Sequence, residues 1–486
     1  MKKTSVLLAF VLILPLFLIF NGCSCSSKNK DISIYEIQCE LSGNTLTGKQ
    51  KVTFYNDTDN AFSELKFNLF GNAFREDANF KPIRSNIYYK AYPNGVNYGD
   101  MKINSVKDET GDLNFTIGGE DKNVLIVNLS QEVYPEDCVE VEIDFVLTLA
   151  DVISRTGINS KTINLGNFYP ILCGIQNGEF YECVYYQTGD PFFSDCANYN
   201  VKITVPDDMI LATSGKLTKK STQNGKTTSE FTLKNARSFA IVGSKDFKIL
   251  RSKVGETEVL YYYYDDEFCK QNLHTIEQSL TYFNQTFGTY PYETFSVVKT
   301  KFIEGGMEYP GLVYIQDELE ENQYKEVIVH ETAHQWWQSV VGNNEIEQSF
   351  LDEGLAEYSV VLFYENHLEY GYLRKDLISS AEKTYKAFCT VYDKIFKNVN
   401  TKMQRSLNEF SSDYEYVNIA YIKPCIMFDY FRTTVGDKKF FNGLKRYFDE
   451  FKYKNATIDD LISCFIKEGA HAEGFFESFI EGKVVI

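Results

Sequence analysis

Two histidines and a glutamate stand together in His330-Glu331-Thr332-Ala333-His334, within a segment of helical character from Val327 to Val340. At a spacing of i, i+4, two imidazoles stack on one helix face and both can reach a single zinc ion. Glu331, next to the first histidine, is then placed to take a proton from water activated there, as a general base. The chain has only five histidines. Chance therefore produces this pattern on the order of 0.004 times in such a chain, which disfavours a pair of unrelated surface histidines. His274, His367 and His471 read as surface or structural residues.

A third ligand has to come from another helix. Ser349-Phe350-Leu351-Asp352 has the form of an N-terminal capping box, so a helix is expected to start there and run to about Glu365. Glu353 falls in its first turn, with eighteen residues between it and His334. A carboxylate at that place completes a His-His-Glu set with one open position. An exposed first-turn glutamate favoured by the helix dipole is the competing reading on spacing alone. Upstream, Glu304-Gly305-Gly306-Met307-Glu308 is a Gly-rich segment with an acid at its end. A short extended backbone of this kind can lie along a cleft edge and pair with a substrate strand, with Glu308 facing a cation. A plain turn with a solvated glutamate has the same signature.

Two bodies are expected to position these residues. Residues 32–250 alternate apolar and polar side chains. Val139, Val141, Ile143 and Phe145 interleave with acids, and Val201, Ile203 and Val205 precede the turn at Pro206-Asp207-Asp208. Val52 and Phe54 end at another turn cluster, Asn56 to Asn60. This half reads as an antiparallel β-domain. From Asn272 onward the apolar spacing is helical, so residues 251–486 read as a mostly α-helical domain packed directly on the first. Tyr261 to Tyr264 suggests an edge strand at the junction. Trp336 and Trp337 are expected to pack the metal-motif helix against the core.

These residues match a family. The chain resembles the aminopeptidase N family of gluzincin zinc metallopeptidases. The resemblance rests on H-E-x-x-H-x-W at His330 to Trp336, on Phe350-Leu351-Asp352-Glu353-Gly354-Leu355-Ala356-Glu357-Tyr358 and on Gly305-Gly306-Met307-Glu308. Gly288-Thr289-Tyr290-Pro291-Tyr292 and Tyr421-Ile422-Lys423 match as well, so most of 285–430 is covered. Leu46-Thr47-Gly48 and Val201 to Gly215 resemble the family's N-terminal domain more loosely. The resemblance implies a saddle-like antiparallel β-domain followed by a thermolysin-like, mostly α catalytic domain. It implies one zinc per chain held by His330, His334 and Glu353, with Glu331 as general base and acid. It further implies that Glu308 binds the free α-amine of a peptide, that Gly305, Gly306 and Met307 line its backbone, and that Tyr421 donates its hydroxyl to the oxyanion. The implied activity is hydrolysis of N-terminal residues from peptides. A zinc endopeptidase is the alternative, and a peptide-binding protein without activity is a more distant one.

Four departures qualify the match. Tyr309 stands where the family has Asn, and Pro424 where it has the Gly of Y-x-K-G, which leaves Tyr416 as a second candidate for the hydroxyl. The second polar group on the α-amine is open between Asn167 and Gln187. The long helical C-terminal domain of larger relatives has no counterpart in the sequence, from which a short form with an open cleft, admitting longer peptides, is expected.

Composition sets the outer bounds. With 49 basic and 67 acidic residues the net charge is −18, which repels phosphate backbones and excludes nucleic acid as the expected partner. Aromatics reach 15%, with 38 Phe and 34 Tyr, fitting a large core together with codon bias. Lys2 and Lys3, the apolar run from Val6 to Phe20 and Asn21-Gly22-Cys23 read as a lipoprotein signal peptide over residues 1–22. Cys23 would then carry the lipid and residues 23–31 the tether, holding the protein outside a bacterial cell membrane. No C-x-x-C spacing occurs among the other cysteines, so neither a zinc ribbon nor a redox motif is expected. Cys173, Cys183 and Cys196 are the trio closest in sequence, either paired or free.

Overall fold

A computed structural model describes residues 32–484. The leader, Cys23 and the tether lie outside the described residues. The first body is built on an eight-stranded sheet. At its centre the hairpin Ser33–Ser42 and Thr45–Tyr55 is flanked by Ala197–Pro206 on one side and Cys138–Thr148 on the other. All its pairings are antiparallel except that of Ser33–Ser42 with Ala197–Pro206. The alternation seen in the sequence becomes burial: Val141, Ile143, Phe145 and Leu147 are inside, while Glu140 and Glu142 face solvent. Val52 lies opposite Val141 and Phe54 opposite Val139, so one face of the pair is continuously apolar.

The second body opens with a five-stranded sheet in the order Lys248–Val254, Thr257–Tyr263, Thr294–Thr300, Leu312–Gln316, Gly306–Met307. The tyrosine run therefore sits in an interior strand, with Val297 beside Tyr261 and Leu250 on its other side; it is not an edge. The true edge next to the cleft is Gly306–Met307, antiparallel to Leu312–Gln316. Helices follow, among them α1 (Cys269–Thr286), α2 (Glu321–Ala333) and α3 (Glu345–Asn366). No helix among the described residues is long and apolar enough to cross a membrane.

One hydrophobic core runs through both bodies and absorbs the aromatic excess. Tyr35 stacks on Tyr199 with ring centroids 4.9 Å apart in the β-body. Phe283 and Phe287 pack on Trp336 and Trp337 in the helical one. Both indoles are buried, and their N–H groups donate to the Gly288 carbonyl at 2.8 Å and to Ser359 Oγ at 3.1 Å. Cys173, Cys183 and Cys196 are all free thiols.

Arg237 ties the bodies together at the back of the metal motif. Its guanidinium is buried and donates to the Ser194 carbonyl at 2.9 Å within the β-body. Across the junction it donates to the Gln338 carbonyl at 2.7 Å, the Lys454 carbonyl at 2.5 Å and the Asn455 side chain. Gln338 needs that support, since its φ of 122° is one a side chain rarely adopts. Replacing Arg237 by Met leaves these buried acceptors without donors. Urea unfolding of R237M is expected to show a loss of about 3 kcal/mol; an unchanged midpoint would remove Arg237 from this role.

Candidate active site

Helix α2 ends where the chemistry begins. His334 is its C-terminal capping residue, four positions after His330, and the chain then turns sharply instead of continuing to Val340. Helix α3 starts at Glu345, capped by Asn344, whose side chain accepts from the Ile346 N–H. Cap for cap, that is five residues before the expected Ser349. The capping signal at Ser349 marks a break instead, because Gln348 has non-helical φ and ψ and the helix resumes beyond it. Glu353 lies in the first turn after this kink and is buried.

Three ligand atoms converge. His330 Nε2 and His334 Nε2 are 3.0 Å apart, and Glu353 Oε2 lies 3.3 Å from the first and 3.2 Å from the second. The tautomers are fixed from behind. His334 Nδ1 is 3.0 Å from the Trp337 carbonyl, which can only accept, so Nδ1 carries the proton and the Nε2 lone pair points inward. Glu357 Oε2 does the same for His330 Nδ1 at 3.2 Å. Two bare nitrogens and a carboxylate oxygen at such distances repel one another unless a cation joins them. This neutral-imidazole and carboxylate donor set fits zinc. Glu357 is a functional residue that the sequence motif contained without a role. Its i+4 spacing from Glu353 was the available signal.

The electrostatics follow from burial. Burial pushes the Glu331 carboxyl up to about 7, although the charges of His330 and His334 pull the other way. Glu353 is also buried, yet the hydrogen bonds of the two histidines outweigh desolvation and hold it down to about 2. Burial would lower His334, but Glu308 and Glu353 raise it to about 10, so without a metal the cluster holds a proton that metal binding displaces. Glu308 rises well above the carboxylate range through burial and the nearby charge of Asp190.

The edge strand sits directly on the base. A Cβ on Gly306 would stand 2.2 Å from Glu331 Oε1, so only glycine lets the carboxylate lie there. Glu331 Oε2 is buried without a hydrogen-bond partner, as is Glu308 Oε1. Both residues line a cavity of about 570 Å³, together with Gly305, Gly306, Gln187 and Asp190. The Met307 side chain points the other way, with its sulfur 3.1 Å from Arg155 Nε. Tyr309 turns away too, donating to Asn167 Oδ1 at 2.9 Å. Asn167 is thereby committed to Tyr309, while Gln187 remains at the cavity. Asp190, which the sequence reading did not single out, brings a second carboxylate there, paired with Arg155 at 2.5 Å. Arg155 also holds Glu304 at 3.1 Å, joining the β-body to the start of the edge segment.

Tyr421 rides on a π-helical turn, Val417–Ile422, a distortion common at functional sites. Its hydroxyl donates to Glu353 Oε1 at 2.5 Å and its ring stacks on His330 at 5.9 Å. Tyr416 is buried 5.6 Å away, ring to ring, with its hydroxyl unpartnered. Pro424 follows that turn, in the helix Lys423–Val435, which continues from it without a break. It packs against Gly354, beside Glu353.

Two substitutions separate ligand, orienter and base. Gly306→Ala drives a methyl into the Glu331 carboxylate, and kcat/KM is expected to fall by about 10²-fold with zinc content unchanged. Glu357→Gln leaves all three ligands in place but loosens His330. Zinc affinity, read by competition with a chelator, is expected to weaken by about 10-fold or more. An unaltered affinity would contradict the orienting role.

Comparison with known proteins agrees with this geometry. Residues 271–479 match the family model described as the peptidase family M1 domain. The chain is 26% identical over 181 residues to leucine aminopeptidase 2-1 of Meyerozyma guilliermondii, covering 35% of this chain and 28% of the relative. It is 25% identical over 208 residues to aminopeptidase B of Rattus norvegicus, covering 40% of this chain and 30% of the relative. The chain thus spans less than a third of the length of these curated relatives. The M1 zinc metallopeptidase of Deinococcus radiodurans superposes with a TM-score of 0.66 at 17% identity, over 94% of this chain and 95% of that one. A mutant of that protein bound to a Tyr-Ser-Ala substrate gives 0.63 at 17% identity over the same shares. Residues 271–479 thus match the peptidase family M1 domain, in a chain folded like the M1 zinc metallopeptidase of Deinococcus radiodurans.

Proposed function

We propose that the protein is a zinc aminopeptidase that removes N-terminal residues from peptides. The observation that carries this reading is the buried, unpartnered oxygen of Glu308, which faces the cavity two residues along the edge segment from Gly306. A buried carboxylate without a partner is costly, and a substrate ammonium supplies both the missing charge and the missing donors. Asp190 adds a second carboxylate and Gln187 a neutral partner at the same cavity. With its amine held there and its backbone paired to Gly306, a peptide presents its first amide bond to Glu331 and the ligand triad.

A zinc ion held by His330, His334 and Glu353 would supply Lewis acidity, to polarise a carbonyl and acidify water. Glu331 takes a proton from the attacking water and returns it to the leaving amine, a shuttle suited by its pKa of about 7. Tyr421 stays protonated because burial and the charge of Glu353 push its phenol well up. Its hydroxyl turns from Glu353 to the developing oxyanion, a contact worth roughly 2.7–4 kcal/mol. The aminopeptidase relatives and the tripeptide held by the Deinococcus protein support the substrate class. Tethering outside the cell through Cys23 is part of the same proposal, and loss of membrane association in Cys23→Ala is its test.

The discriminating substrates are a peptide with a free amine and its N-acetylated twin. Cleavage of the free form at least ~100-fold faster is expected, with Glu331→Gln lowering kcat by about 10³-fold at full zinc occupancy. Equal cleavage of the two would replace this reading by an endopeptidase.

A further inference from the structure

Tyr421 has to keep its hydroxyl within reach of Glu353 and of a developing oxyanion, yet the backbone that carries it lacks regular support. It sits near the end of the π-helical turn Val417–Ile422, a form rare in proteins. Pro424, in the helix that continues from the turn, has no N–H to donate back into it, so a bond is missing from the backbone ladder there. A side chain makes up for this. Lys423, two residues beyond Tyr421, is fully buried and is not among the residues that line the cavity. Its Nζ donates to the Thr401 carbonyl at 2.5 Å and to the Phe479 carbonyl at 2.6 Å. The segments bearing these carbonyls are stitched to each other. The Met403 N–H donates to the Ile480 carbonyl at 2.9 Å, and Thr401 Oγ1 to the Gly482 carbonyl at 3.1 Å. Lys423 thus fastens the end of the turn to the helix Glu473–Ile480 and to the loop beside it. The other end is held by Glu415, which accepts from Arg405 Nη1 at 2.8 Å and from the Ser411 N–H and Oγ at 2.8 and 2.6 Å.

We infer that Lys423 is a positioning residue for the Tyr421 hydroxyl: by pinning the turn to the C-terminal helix, it fixes where that hydroxyl stands between Glu353 and the oxyanion. The inference rests on the role given to Tyr421 in the aminopeptidase reading above. Both acceptors of the ammonium are neutral carbonyls. Burial pushes Lys423 down to about 8, with the Cys389 thiol pulling upward and the Arg405 charge downward. A buried charge on neutral partners is costly, and an apolar side chain would fill the same space without that cost. What the apolar side chain would not do is tie three segments at fixed distances from one another. A displacement of about 1 Å in a group that acts on the transition state is enough to lower the rate by as much as about 10²-fold, so an anchor two residues from Tyr421 bears on catalysis without touching substrate or metal.

The test is a double-mutant cycle on kcat for a free-amine tripeptide. Tyr421→Phe is expected to lower kcat by about 10²-fold. Lys423→Met is expected to lower it by about 10-fold, with KM changing by less than about twofold and zinc affinity, read by competition with a chelator, unchanged. In the Tyr421→Phe background the same Lys423→Met substitution is expected to change kcat by less than about twofold, because the hydroxyl it positions is gone. A loss that persists in full in that background overturns the inference, and so does a loss of zinc affinity, since either would make Lys423 a general support of the site. An unchanged kcat in Lys423→Met overturns it as well. Should Lys423→Met fail to fold, Lys423→Gln, which keeps two N–H donors on a shorter side chain, takes its place in the cycle and is read by the same outcomes. Tyr421→Phe with wild-type kcat strikes the role of the hydroxyl, and this inference with it. An impaired Tyr421→Phe beside an unimpaired Lys423 variant strikes the inference alone.

Discussion

Negative charge gathered out of water is the constraint on which the rest of the structure turns. Glu308, Glu331, Glu353 and Asp190 share one cavity, with Asp352 and Glu345 buried behind them. Burial pushes Asp352 up to about 7 and Glu345 well above the carboxylate range, each made worse by the other acids. Against them stand two imidazoles, whose outer nitrogens are spent on Trp337 and Glu357, and two guanidiniums, Arg155, shared between Asp190 and Glu304, and Arg84 near Glu304. Such a set needs compensation, by protons on the acids that burial raises or by cations that complete it. His330, His334 and Glu353 converge so as to hold one such cation, a metal, and the substrate ammonium proposed at Glu308 would be a second. On the proposed function, the groups that need the cations are also those that act on the substrate.

The fold holds this charge in place by joining two bodies around it. The helical body supplies ligands and base from α2 and α3, and the five-stranded sheet supplies the edge on which glycine is obligatory. The β-body reaches in with long basic side chains. Arg155 grips the start of the edge segment, and Arg237 props the strained turn after His334. A continuous aromatic core keeps the two bodies from sliding. Ligands, base and edge are thereby fixed before any substrate arrives, which is what pre-organised catalysis needs.

The parts that local pattern determines were legible in the sequence. His330, Glu331 and His334 are one helical turn, and their spacing alone predicts convergence. Alternation around Val141 and Val201 is strand burial written directly. The start of α3 lies five residues before the expected cap because Asn344 caps the helix, while the fuller motif at Ser349 falls just after the kink at Gln348. Interior placement of Tyr261 was hidden because an apolar run does not say whether one or both strand edges are paired. Asp190, Arg155 and Arg84 were out of reach for another reason. Asp190 pairs with Arg155, 35 residues away, while Arg155 and Arg84 act on partners more than a hundred residues away, on Met307, Glu304 and Gln187, and no local spacing encodes such pairings.

The central claim, that one buried acidic site is completed by zinc and by a substrate amine, is tested most directly by anomalous diffraction. Crystals of the Glu331→Gln protein, grown with zinc and a free-amine tripeptide, would be measured at the zinc edge. The account predicts a single anomalous peak bonded to His330 Nε2, His334 Nε2 and Glu353, with the peptide nitrogen within hydrogen-bond distance of Glu308. A peak elsewhere, or a peptide whose amine lies away from Glu308, would contradict it.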